Sequence, residues 1–198
     1  MKRNTKTIAG LGLFTAIVVV LQLTGAAIKF GVFSITLTLA PIIVGAALYG
    51  IGAGAWLGLA FGVAVLISGD AAPFLAVSPA GTVITVLLKG VLAGVAAAVV
   101  YKAIEKKSTL AAVITSGIAA PVTNTGVFVI GCLIFFMPTI NEWAAAAGVE
   151  SAGKFIITGL VGINFLVELA VNLVLSTVIV RIITVLRKQM SREKNIEA

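Results

Sequence analysis

Apolar stretches recur along the whole chain, at about 8–28, 35–50, 53–68, 81–101, 109–137 and 155–186. A helix needs about 20 mostly apolar residues to cross the ~30 Å hydrocarbon layer. Only helices and closed barrels satisfy their backbone polar groups there. The spacing therefore predicts an all-α integral membrane protein, a bundle of six transmembrane helices forming one domain over 1–198. The second and third stretches are short and separated only by Gly50-Ile51-Gly52, which suggests a tight helical hairpin. The fifth and sixth exceed what a bilayer requires, so they are expected to tilt or protrude. Pro121, inside the fifth, removes a backbone donor and is expected to bend it.

Composition agrees. Hydrophobic residues make up 60% of the 198 and charged residues 11%, against roughly a quarter charged in soluble proteins. The net charge of +7 would raise the question of nucleic acid in a soluble basic protein. Here the basic residues sit at the chain ends and in one loop. One side of the bundle receives Lys2, Arg3, Lys6, Lys102, Lys106, Lys107, Arg181, Arg187, Lys188, Arg192 and Lys194, and the other only Lys29 and Lys154. By the positive-inside rule both termini are expected in the cytoplasm. The first segment resembles a signal peptide in its basic start, but its apolar stretch exceeds the 7–15 residues of a signal core, so it reads as a retained first helix.

Several classes are disfavoured. Histidine is absent and Cys132 is the single cysteine, lying in an apolar run. No internal disulfide is possible, and no metal centre, resident cofactor or histidine-based triad is expected. The inner connections are about eight residues at most, which leaves no room for a cytoplasmic catalytic domain. Of the outer connections, 69–80 carries two prolines and reads as an ordered cap. Residues 138–153 are expected to form a short interfacial helix with Trp143 at the headgroups.

Polar groups deep in a span are costly, so they mark candidate function. Lys89 lies about 12 Å into the fourth span by helical rise. Asn164, Glu168 and Asn172 in the sixth are spaced i, i+4, i+8 and share one helix face. Asn124, within Thr123-Asn124-Thr125, follows Pro121 in the fifth. These residues suit a polar cavity; a buried structural network between helices is the competing reading. Either Glu168 neutralises Lys89, or Lys89 is kept for an anionic ligand group while Glu168 meets a hydroxyl or amide. Gly12-x-x-x-Ala16 in the first span, and the glycine-rich run from Gly45 to Gly62, are surfaces on which helices approach closely.

Taken together, KTIAGLGLFTAIVVVLQL in the first helix, FSITLTLAPIIVGAALYGIGAGAWLGLAFG across the second and third, the outer loop with SPAG and the lysine-bearing fourth helix carry a resemblance. Over nearly its whole length the chain resembles the substrate-binding S component of an energy-coupling factor (ECF) vitamin transporter. The resemblance implies a pocket for a vitamin-like molecule lined by outer loops and helices four to six. It points to Phe74 and Ser78 in the loop and to Lys89, Asn124, Asn164, Glu168 and Asn172. It further implies that Gly12 and Ala16 dock against a transmembrane coupling subunit, that two cytoplasmic ATPases power uptake, and that the cell membrane of a bacterium is its location. The chain has no phosphate-binding loop of its own, in keeping with this.

FLAVSPAG and the helix-two and -three text look most similar to pantothenate-type members. The sequence shows no aromatic-rich pocket of the kind a large flat ring would need. A small flexible carboxylate with hydroxyl and amide groups is the expected cargo. Two other classes compete: a self-sufficient secondary transporter, which would favour inverted repeats that the sequence lacks, and a small membrane enzyme, which would need a second intramembrane carboxylate beside Glu168.

Overall fold

The computed structural model describes residues 5–27, 29–30, 33–34 and 37–196. The first helix, α1, spans Thr5–Ala27 and leads into a two-strand ribbon, β1 (Lys29–Phe30) antiparallel to β2 (Phe33–Ser34). Then follow α2 (Leu39–Tyr49), α3 (Ile51–Ser68), α4 (Ala72–Val77), α5 (Pro79–Ile104) and α6 (Thr109–Gly131). A π-helical segment, Cys132–Phe136, joins α6 to α7 (Met137–Ala146). The chain ends in α8 (Ala152–Phe155), a second π segment, Ile156–Val161, and α9 (Gly162–Ile196).

Local chemistry sets the boundaries. Ser78, Ser108 and Ser151 each cap a helix by accepting a hydrogen bond from a backbone N–H three residues on, the usual way to satisfy the orphan donors of a first turn. Gly50 turns α2 into α3 with φ +86°, a conformation that costs a side-chain-bearing residue far more than glycine. The hairpin expected there is present, and the segment 69–80 is ordered around α4.

Among the described residues, five helices are long and apolar enough to cross a membrane: Thr7–Ala26, Ile51–Ser68, Pro79–Ile104, Thr109–Ala146 and Ala152–Met190. The helix in the sixth expected span, 35–50, is shorter than that stretch. It begins at Leu39 and has 11 residues, about 16 Å of rise; positions 35 and 36 lie outside the described residues. Leu39 and Pro41 to Ala47 are buried, because α2 packs against α1, α3, α5, α6 and α9. A helix apolar on every side is either a membrane span or a core helix, and hydropathy does not separate the two. The last two long helices have 38 and 39 residues. At about 57 Å each they are nearly twice the hydrocarbon thickness. The α pattern runs through Pro121, and a second irregularity, the π segment Cys132–Phe136, follows it.

Helices α3 and α5 meet backbone to backbone. Gly54, Gly58 and Gly62 on α3 face Gly94, Gly90 and the Val86 carbonyl on α5. A Cβ on Gly58 would run into the Gly90 carbonyl, and one on Gly90 into the Gly58 carbonyl. Small residues at four-residue spacing permit such contact between helices in lipid, where dispersion does the work that the hydrophobic effect does in water. Helix α1 joins more lightly, through one stripe of buried residues, Phe14, Val18, Gln22 and Ala26, spaced four apart.

At one end of the bundle Arg187 Nη2 donates to the Ala47 carbonyl (2.9 Å) and to Glu105 Oε2 (2.5 Å). Its guanidinium also lies 5.4 Å from the Tyr101 ring centroid. This ties α2, α5 and α9 at one level. At the opposite end Gln22 Nε2 donates to Asp70 Oδ2 (2.6 Å). There Phe74 meets Phe128, Phe136 and Trp143 edge to face, at 5.5, 5.0 and 5.4 Å.

The close approach makes a prediction. Gly58→Leu should cost about 3 kcal/mol or more, because backbone carbonyls cannot step aside. Gly12→Ala, where no atom lies within 4 Å of the new methyl, should change stability by less than about 0.5 kcal/mol. Thermal unfolding of both variants in detergent checks the contrast, and equal effects would refute it.

Candidate functional site

Lysine 89 lies ten residues into α5, about 15 Å from its start. Its position follows from the glycine contact: Gly90, its neighbour in sequence, touches Gly58, and Phe61 comes from the same stretch of α3. Lys89 Nζ sits 5.8 Å from the Phe61 ring centroid and 5.4 Å from that of Phe128 on α6. Both distances are within the reach of a cation–π attraction. The ammonium is thus held between two aromatic rings inside the bundle.

Beyond Phe128 lies a cavity of about 50 Å³ lined by Lys89, Asn124, Thr125, Phe128, Leu160, Val161, Phe165 and Glu168. Glu168 is 2% exposed and Asn124 7%. Neither Glu168 Oε1 nor Asn124 Oδ1 makes a hydrogen bond. Buried polar atoms are nearly always paired, so two acceptors left open beside one cation describe a place prepared for a hydrogen-bond donor. Leu160 and Val161 belong to the π segment Ile156–Val161. Such bulges occur frequently at functional sites.

On the other side of Lys89 a second cavity, of about 60 Å³, is lined by Val65, Asp70, Ala71, Phe74, Thr82, Thr85, Val86, Lys89, Phe128 and Phe136. Thr82 Oγ1 donates to the Ser78 carbonyl (2.7 Å), whereas Thr85 Oγ1, in a residue 4% exposed, makes no hydrogen bond.

The structure thus gathers Lys89, Asn124 and Glu168 around one cavity and adds Phe74 to the next. Two other expected residues line neither cavity. Ser78 serves as the cap of α5, accepting from Gly81 N (3.3 Å), and lines neither cavity. Asn172 is buried one turn beyond Glu168 against Gly117 of α6, its Nδ2 without a hydrogen bond, and also lines neither. The Asn164 side chain lies outside the described residues.

Sequence reasoning did not single out Phe128, Thr85 or Asp70, and more aromatic side chains gather here than it foresaw: Phe74, Phe128, Phe136 and Phe165 line the two cavities and Phe61 lies beside Lys89. A usable signal existed in Phe128, one helical turn after Asn124. Trp143, expected at the headgroups, packs its ring against Phe74.

A larger concavity, of about 630 Å³, lies between α1, α3 and α5 and is lined by Ile8, Leu11, Gly12, Thr15, Gly52, Ala55, Trp56, Leu59 and Val91. Its polar atoms are already used. Trp56 Nε1 donates to Thr15 Oγ1 (3.1 Å), and that hydroxyl donates to the Leu11 carbonyl (2.7 Å). With no open polar group it has the character of a surface for lipid or another helix. Gly12 and Ala16 are both exposed along this side of α1.

Residues 6–180 match the family described as ECF transporter, substrate-specific component. The chain belongs to that family. It is therefore a membrane-embedded substrate-specific subunit of an ECF transporter, a transport component and not a member of an enzyme family. Membership implies a small-molecule substrate and association with ECF coupling and ATPase subunits. No curated protein and no solved structure matches the chain.

Lys89 and Glu168 line the same cavity with side chains of opposite charge type, and a double-mutant cycle tests whether they pair. Lys89→Met should destabilise the empty protein by leaving the Glu168 carboxylate buried without its cation. Adding Glu168→Gln should recover part of the loss, with a coupling energy of about 0.5–3 kcal/mol. Strictly additive effects in thermal unfolding would show that the two side chains do not pair in the empty state.

Proposed function

We propose that this S component captures pantothenate, a small flexible acid bearing hydroxyl and amide groups, from outside a bacterial cell. It delivers the vitamin inward with a transmembrane coupling subunit and two cytoplasmic ATPases. The observation that carries the reading is the convergence of Lys89, Asn124 and Glu168 on one cavity. Lys89 supplies a cation for a carboxylate, and Asn124 Oδ1 and Glu168 Oε1 supply acceptors for hydroxyl or amide donors. The aromatic side chains around the site favour a non-planar cargo despite their number. Phe74 meets its neighbours at interplanar angles of 86°, 73° and 76°, so these rings are engaged edge to face and offer no parallel slot for a flat ring system.

The topology supports uptake from the side opposite the charged end. With both termini cytoplasmic, α2 acts as the short sixth crossing. The Arg187–Glu105 pair then lies at the inner face, where basic residues concentrate, and the Phe74–Trp143 cluster lies at the outer face. Gly12 and Ala16 would receive the coupling subunit along the apolar side of α1, where small residues allow a foreign helix to approach closely.

Binding of a B-vitamin panel to the purified chain in detergent tests the reading. Pantothenate should bind stoichiometrically, and Lys89→Ala should weaken it by about tenfold to a hundredfold, the worth of one or two charge-assisted hydrogen bonds. Binding that survives Lys89→Ala would move the anchor to Asn124 and Glu168. Failure of the whole panel would defeat the vitamin reading. Replacing both Gly12 and Ala16 by Leu should leave binding intact while abolishing uptake by the assembled transporter.

A further inference from the structure

We propose that the substrate site is double: the cavity beside Asp70 and Thr85 is its second half, and the Phe128 ring is a movable partition between the two. The inference rests on the S-component reading and specifies its cargo as an elongated, flexible acid with hydrogen-bonding groups at both ends. The first argument is size. The cavities measure about 50 and 60 Å³, while one water occupies about 30 Å³ and small-molecule sites span about 300–1,000 Å³. Neither admits a vitamin alone. Lys89 and Phe128 are the residues that line both. The Phe128 ring carries no polar atom, so turning it away from Phe74 gives up ring contacts, the edge-to-face packing on Phe74 and the Lys89 ammonium over its face among them, and orphans no hydrogen-bonding group of its own.

The second argument is chemical. Each cavity is lined by residues more than nine-tenths buried that carry a polar atom without a hydrogen bond: Glu168 Oε1 and Asn124 Oδ1 at one, Thr85 Oγ1 at the other. Thr82, Thr85 and Lys89 follow at intervals of three and four along α5, on a single helix face. A ligand whose carboxylate meets Lys89 thus has partners in both directions: acceptors toward α6 and α9, and a hydroxyl toward the start of α5. Thr85 becomes a specificity-determining residue that decides whether the far end of the cargo is recognised.

Thr85→Val provides the test, because it exchanges the hydroxyl for a methyl at nearly constant shape. Pantothenate and its two halves, pantoate and β-alanine, are titrated against wild type and variant in detergent, with melting temperature of the empty protein read alongside. The double site requires Thr85→Val to weaken pantothenate by about tenfold, one hydrogen bond. Its melting temperature should hold or rise, because an unpaired buried hydroxyl is gone. Wild type should bind neither half as tightly as the whole. Pantothenate affinity within twofold of wild type in the variant overturns the second half while leaving the first cavity's role standing. A fall in melting temperature and affinity together assigns Thr85 a structural role and overturns the proposal as well. A wild type that binds no vitamin overturns the S-component cargo reading and this inference with it.

Discussion

The backbone contact between α3 and α5 is the constraint on which the rest depends. In lipid, apolar side chains gain little by leaving the solvent, so two helices hold together by how closely their surfaces fit. Gly54, Gly58 and Gly62 against Gly90 and Gly94 bring carbonyls of one helix to within reach of the α-carbons of the other. No side chain intervenes, so the rotation of α5 about its axis is fixed. Lys89 is then turned toward Phe61 and Phe128 instead of the bilayer. The position of Lys89 deep in its span is thus set by residues that have no side chains.

A lysine and a glutamate in a low-dielectric interior are tolerable only if something repays their dehydration. Here the repayment is split. The ammonium gains from two aromatic faces and from Glu168 across the cavity, while Glu168 Oε1 and Asn124 Oδ1 stay without hydrogen bonds. A core optimised for stability alone would have paired those acceptors or replaced them by Leu or Val, as most of the surrounding positions are. Retaining them costs stability in the empty protein. That cost makes sense where a ligand arrives to complete the network, as expected of a substrate-specific subunit.

How much of this was legible in the sequence depends on the kind of signal. Long spans could be read because a bilayer imposes a length on apolar runs, and the five long helices fall where hydropathy put them. The shortness of α2 could not be read, since Ile42, Ile43 and Val44 look the same whether they face lipid or neighbouring helices. Lys89, Asn124 and Glu168 were legible because ionisable or amide groups are anomalous in a span. Thr85 and Phe128 were not, because Thr and Phe are ordinary there and only three-dimensional placement distinguishes them. Ser78 shows a related ambiguity: Ser before Pro reads equally as loop or helix cap, and here its hydroxyl accepts a hydrogen bond from Gly81 N. The π segments left no trace in composition, although they help to shape both cavities through Phe136, Leu160 and Val161.

The two ends of the bundle are built from different interactions, and the difference bears on how a closed site opens. At one end Arg187 joins three helices through an ion pair, a hydrogen bond to a carbonyl and a ring contact. Moving any of these helices there exposes a charge or an unsatisfied acceptor, which is expensive at a membrane. At the other end ring edges around Phe74 gather, alongside a hydrogen bond from Gln22 to Asp70. Ring packings are weak individually, about 0.5–1.5 kcal/mol beyond burial, and their partners rearrange without orphaning polar groups. Rearrangement is therefore less costly at the aromatic end, which borders the second cavity, than at the end where Arg187 holds α2, α5 and α9 together.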